Sequence, residues 1–216
     1  MKRTLLASAL SLSMLGSAMA PTSIFADSAP QVSVSQESST LTSKVFENID
    51  VMGEYIIVGD DNLYYINPES KSVISDEVYE VYQRGVDVIN DNLKTGAFKI
   101  ENGSVVPVNY TPPQSPEFST MAFGNFYPWG YALTLTDQES KDLAYAFTNG
   151  GSAGAALTAV LGLIPAPPAK LAQAISYILN LWYVSIGNSI SYNNVGYGVT
   201  INFHYALYYN ITSNKG

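Results

Sequence analysis

The sequence predicts an α+β protein: an N-terminal β-hairpin plus helix unit, then a strand–helices–strand domain whose apolar helical pair packs on antiparallel strands. Three patterns carry this expectation. Residues 150–187, GGSAGAALTAVLGLIPAPPAKLAQAISYILNLWYVSIG, are Gly/Ala-rich and apolar, broken once by prolines. On either side, residues 129–136 and 199–211 alternate apolar and polar positions, the period of a half-buried strand. Upstream, two β-branched and aromatic runs flank a turn and precede an amphipathic helix.

In chain order, Lys2 and Arg3 followed by the apolar residues 5–20 have the form of an export signal. Ala18-Met19-Ala20 fits the small-x-small rule, but Pro21 follows it, so Ile24-Phe25-Ala26 is the preferred cleavage site and residues 1–26 the expected signal peptide. The alternative is an uncleaved anchor. Residues 27–44, rich in Ser, Thr and Gln, read as a flexible arm.

Residues 45–110 are expected to form the acidic hairpin-plus-helix unit. Tyr55 to Val58 and Leu63 to Ile66 are the strands, and Gly59-Asp60-Asp61-Asn62 is the turn. Asp60 and Asp61 invite a calcium loop, but calcium needs six to eight oxygens and no such ligand pattern follows. Ser75 caps a helix over 75–94 with Asp76 and Glu77 in its first turn, where the helix dipole favours anions. Val78, Tyr82, Val86 (or Gly85), Ile89 and Leu93 form its apolar stripe. Glu77, Glu80 and Asp87 read as its solvated face rather than as paired catalytic acids. Two short strands around Asn102-Gly103 follow, then a Pro-rich linker over 111–122. Its Pro113-Gln114-Ser115-Pro116 reads as spacer.

Residues 123–216 are the expected apolar domain. Trp129, Tyr131, Leu133 and Leu135 should share one strand face; Thr136 to Glu139 is a capping box for the next helix. In the first apolar helix, over 152–164, Gly154, Thr158 and Gly162 recur at every fourth position and should permit close approach of another helix, either residues 169–186 or the sheet. Pro165, Pro167 and Pro168 stop this helix, and Pro168 can open the next. The second helix, over 169–186, has a polar stripe of Gln173, Ser176 and Asn180, with Gly187 as its C-cap. Its 18 residues would span ~27 Å, near the length that crosses a bilayer. Residues 199–211 read as one long strand with a bend near its middle.

Composition narrows the function. The formal charge is −8, and without Lys2 and Arg3 it becomes −10, eight cations against 18 acids. Such a chain repels phosphate and is a poor nucleic-acid binder. All 18 acids lie at or before Asp142; beyond it the only cations are Lys170 and Lys215. That split suggests two halves with different surroundings. With no Cys and one His, thiolate metal sites, a Cys nucleophile and a zinc centre are disfavoured, and no cofactor motif is present. His204 lacks the nucleophile elbow and acid of a hydrolase and reads as a solvated strand residue whose loss changes little. Gly151-Ser152-Ala153-Gly154 follows a helix, not a strand, so it is no dinucleotide fingerprint.

The run Phe126-Tyr127-Pro128-Trp129-Gly130-Tyr131-Ala132-Leu133-Thr134-Leu135-Thr136, the Gly/Ala helix broken at Ile164-Pro165, and the closing strand resemble the C-terminal module of uncharacterised secreted proteins of Gram-positive bacteria. Residues 54–93 resemble the hairpin-plus-helix that precedes it in some of them. The resemblance implies export and architecture and brings no activity with it. Two non-enzymatic functions follow. In one, a secreted bacteriocin- or toxin-like protein acts on lipid membranes through residues 150–187. In the other, a cell-surface or matrix interaction protein uses its aromatic residues, Trp129 and Trp182 among them, and keeps the apolar helices as ordinary core.

Overall fold

The computed structural model describes residues 36–108, 120–121, 124–164 and 166–215. The expected signal peptide, the first part of the expected arm and most of the expected linker lie outside these residues.

The arm over 27–44 is corrected where it is described: Gln36–Glu47 is helix α1. Its Ser/Thr-rich composition conceals an apolar edge, with Val45 fully buried, Phe46 nearly so and Leu41 packed against the core. Helix α2, Ile49–Tyr55, extends that edge through the buried Ile49 and Met52. Strands β1, Ile56–Val58, and β2, Tyr64–Ile66, then form the expected hairpin, with Ile57 opposite Tyr65. The Asp61 carboxylate accepts from the Leu63 N–H at 3.1 Å and the Tyr65 hydroxyl at 2.6 Å. It serves the turn, as an Asx side chain does.

Helix α3, Asp76–Lys94, starts where Ser75 accepts from the Val78 N–H, and it buries Val78, Val81, Tyr82, Gly85, Val86 and Ile89. Strands β3, Phe98–Glu101, and β4, Ser104–Pro107, pair around Asn102 and Gly103, both at positive φ as a two-residue hairpin turn requires.

Among the described residues the main sheet has five antiparallel strands in chain order: β5, Thr120–Met121; β6, Gly124–Tyr127; β7, Gly130–Leu135; β8, Val199–His204; and β9, Tyr209–Ser213. Two expectations change here. Residues 120–121 belong to a strand rather than to linker. The run over 199–211 is a hairpin and not one bent strand. The chain turns at Leu207, which takes φ 64°; the Leu207 N–H donates to the His204 carbonyl and the His204 N–H to the Tyr208 carbonyl. Phe203 pairs with Tyr209 and Ile201 with Ile211, so the apolar positions stay on one face through the turn.

Helix α4, Asp137–Thr148, carries the complete Thr136–Glu139 capping box. Glu139 is 2% exposed, and burial raises its carboxyl above the ordinary range against the lowering effect of the Thr136 bonds. A raised folded-state pKa gives a contribution fully present below the ordinary value near 4.5 and lost as pH rises through the folded value. The wild-type urea midpoint is therefore expected to fall relative to Glu139→Gln as pH rises from ~4 to ~7. Parallel pH profiles would contradict this.

Helix α5, Ala153–Leu163, is capped by Ser152 and is buried from Ala155 onward. Helix α6 runs Ala169–Asn193, bending at Trp182, whose φ and ψ are −118° and 16°. Gly187 is therefore not a C-cap. It is a buried residue inside the helix, where a Cβ would stand 2.7 Å from the Phe147 Cβ. The polar stripe of α6 faces β4: the Ser176 hydroxyl donates to the Val105 carbonyl at 3.1 Å, and the Asn180 amide donates to the same oxygen. The Tyr183 hydroxyl ties α6 to the α4–α5 turn, donating to the carbonyls of Gly151 and Ala146, and its pKa is pushed up to about 12 by burial.

The small-residue stripe finds α3, neither α6 nor the sheet. A Cβ on Gly162 would lie 2.0 Å from the Val81 carbonyl oxygen, and one on Gly85 would lie 1.9 Å from that of Thr158. Two glycines, one on each helix, let these backbones touch along an antiparallel crossing. Gly154 is not part of the tight contact, since its nearest neighbours stand at 3.5 and 3.7 Å. The acidic residues 45–110 and the apolar domain expected over 123–216 thus do not pack as separate units: buried side chains from both join one hydrophobic core.

Candidate functional site: the open face of the sheet

Alternation along β6 to β9 gives the sheet two unlike faces. Phe126, Tyr131, Leu133, Leu135, Val199, Ile201 and Phe203 are buried on the side covered by helices. On the opposite side stand Asn125, Tyr127, Thr134, Thr200, Asn202, His204, Asn210 and Thr212, all at least partly exposed. Strands β6 to β9 contain no Asp, Glu, Lys or Arg. This face is therefore uncharged and built of amides, hydroxyls and rings.

Register brings an aromatic stack to one end of it. Gly130 pairs with His204, which places the β6–β7 turn beside the β8–β9 turn, and the Tyr205 N–H donates to the Trp129 carbonyl at 3.0 Å. The Trp129 ring lies parallel to Tyr127 at 4.9 Å on one side and against His204 at 4.6 Å on the other. His204 in turn stacks on Tyr208 at 4.0 Å, and its Nε2 meets the Asn210 Oδ1 at 3.1 Å. Gly130 makes this possible: its φ of 153° and the Phe203 carbonyl 1.9 Å from a would-be Cβ leave room for glycine alone. Tyr205, next in sequence to His204, is buried, which raises its phenol pKa.

His204 is thus on the expected face but is held between rings rather than simply solvated. Stacked aromatic pairs contribute ~0.5–1.5 kcal/mol each beyond burial. His204→Ala is therefore expected to cost ~1–2 kcal/mol by denaturation, more than a surface substitution. A change within ~0.5 kcal/mol would show the stack to be energetically idle.

The sequence-selected residues do not converge. Thr158 and Gly162 lie in the core, and Gly154 is half-buried near Tyr64. Trp129 sits outside β7, in the turn, with its ring on the face opposite Tyr131, contrary to simple alternation. Trp182 stands at the bend of α6, 46% exposed, beside Tyr209 at 6.4 Å between ring centres. Tyr127 lies outside the strand expected over 129–136, and alternation over 199–211 puts Tyr208 on the face of His204 without stacking the two rings; the hairpin turns bring both into the stack. Among the described residues no group of acids and histidine could hold a metal ion. No described helix is long and apolar enough to cross a membrane. Compared with known proteins, the chain matches no family model, no curated protein and no solved structure.

Proposed function

We propose that this is a secreted, non-enzymatic cell-surface or matrix interaction protein that binds an uncharged, hydroxyl-rich polymer, a neutral glycan, on the open sheet face. The observation that carries this reading is the pairing of an exposed aromatic stack with a charge-free field of Asn and Thr side chains. Ring edges and outer ring faces suit the apolar C–H faces of sugars, and amides and hydroxyls suit their hydroxyl groups. The burial of α5 from Ala155 to Leu163 supports its role as core over the membrane-active reading of residues 150–187, because insertion would first have to dismantle the α3–α5 contact.

Cosedimentation of the protein with insoluble neutral glucans and with purified bacterial cell walls tests this. Binding is expected to be insensitive to salt, since no charge pairing is involved. Trp129→Ala should weaken it about tenfold, the equivalent of ~1.4 kcal/mol. Failure to bind any of these polymers, together with release of dye from lipid vesicles, would favour membrane action instead.

A further inference from the structure

The sheet ends on an edge that invites a partner. Strand β9 is bonded to β8 on one side, and among the described residues no strand pairs with its other side. The hydrogen bonds from the Asn214 N–H to the Gly198 carbonyl and from the His204 N–H to the Tyr208 carbonyl set the phase of the ladder. In an antiparallel pair the bonded positions recur every second residue. With Val199 opposite Ser213 and Ile201 opposite Ile211, the β9 residues turned toward β8 are Asn210 and Thr212. Tyr209, Ile211 and Ser213 therefore direct their N–H and C=O groups out of the sheet. The strand reads Tyr-Asn-Ile-Thr-Ser, without Pro, charge or bulge, so it lacks the devices that usually blunt an edge. Next to it, α6 exposes Leu181, Trp182 and Val184.

We propose that β9 pairs with β9 of a second copy of this chain, antiparallel about a two-fold axis at Ile211. The edge is complementary to itself. Ile211 would meet its counterpart and Tyr209 would meet Ser213 of the partner, all three in bonded positions, and a small residue would face each large ring. Charge favours the same occupant. All 18 acids precede residue 143, and the edge and its flanking helix carry none. Two copies of a chain with net charge −8 can approach through this region with little like-charge contact. Among the described residues the opposite edge is β5, of which two residues are in strand, and it offers less to pair. A two-fold axis normal to the sheet keeps both open faces on one side. The pairing would join them into a ten-stranded surface, with the two Trp182 side chains flanking the seam on the other side.

The mature protein is to be measured by sedimentation equilibrium over a hundredfold concentration range, with amide exchange followed by NMR at both ends of that range. The expected result is a monomer–dimer transition in which the Tyr209, Ile211 and Ser213 amides gain protection as the dimer forms. Ile211→Pro removes an N–H that β8 does not use and should abolish the dimer. Circular dichroism reports whether that variant keeps its fold. The wild-type exchange pattern decides the matter even if it does not. A monomer throughout, with these three amides unprotected, would overturn the proposal. So would a dimer that leaves them unprotected, or a concentration-independent protection of the edge by this chain's own residues. Glycan binding is scored separately, so its failure leaves this result standing.

Discussion

Gly162→Ala is expected to destabilise the protein by ~3 kcal/mol, at or beyond the upper end of ordinary overpacking. The new methyl group would sit 2.0 Å from the Val81 carbonyl oxygen and 2.8 Å from its carbon. These are backbone atoms, so no rotamer change relieves the clash, and α3 and α5 must separate. Alanine's better helix propensity returns only ~1 kcal/mol. Gly85→Ala meets the Thr158 backbone in the same way and should cost a similar amount. Gly154→Ala is the internal control. Its would-be Cβ has no neighbour closer than 3.5 Å, so the propensity gain is unopposed and the midpoint should hold or rise. Urea denaturation of the three variants checks the pattern. A Gly162→Ala midpoint equal to wild type would mean that the helices do not touch at this residue.

Tyr82→Ala is expected to cost ~3–5 kcal/mol, the range for removing a buried aromatic ring. Tyr82 is fully buried, and its hydroxyl donates to the Val45 carbonyl of α1 at 2.8 Å. Burial drives its phenol pKa well upward, so it stays a neutral donor at ordinary pH. Tyr82→Phe keeps the ring and loses the bond, and should cost ~1 kcal/mol. The Val45 carbonyl retains a second donor, the Asn48 N–H at 3.2 Å, which limits the penalty. Hydrogen exchange should show the amides of α1 losing protection first in Tyr82→Ala, because this ring is part of what docks α1. Uniform loss across the chain would instead mean that α1 unfolds only with the whole.

The local elements were legible where their signals are local. Ser75 and Thr136 cap helices because their side chains reach N–H groups three residues on. Asn102-Gly103 makes a hairpin because both residues tolerate positive φ. The prolines after Ile164 end α5 because they remove a donor and clash with the preceding turn. What was illegible depends on distant partners. The Ser/Thr-rich residues 36–47 have little helix signal of their own, and they order because Val45 and Phe46 meet a core supplied by later elements. Residues 199–211 alternate without interruption, yet Leu207 takes a left-handed turn. The turn brings β9 alongside β8, where Ile211 and Tyr209 add to the apolar face that a straight strand would carry past the helices.

Sequence alone determined the α+β class, the Ser75 and Thr136 caps, the hairpins around residues 59–62 and 102–103, the apolar character of α5 and the uneven charge, because each follows from neighbours within a few residues. It also marked Gly162 as a place of close approach, since only the absence of a side chain permits one. Tertiary structure decided which element approaches: α3, through Gly85, rather than α6. It also decided that Gly187 lies mid-helix against Phe147, and that Tyr127, Trp129, His204 and Tyr208 form one stack. The physical reason is shared. Periodicity states which face of an element is apolar or small, whereas the partner of that face depends on strand register and helix crossings set by the whole core at once.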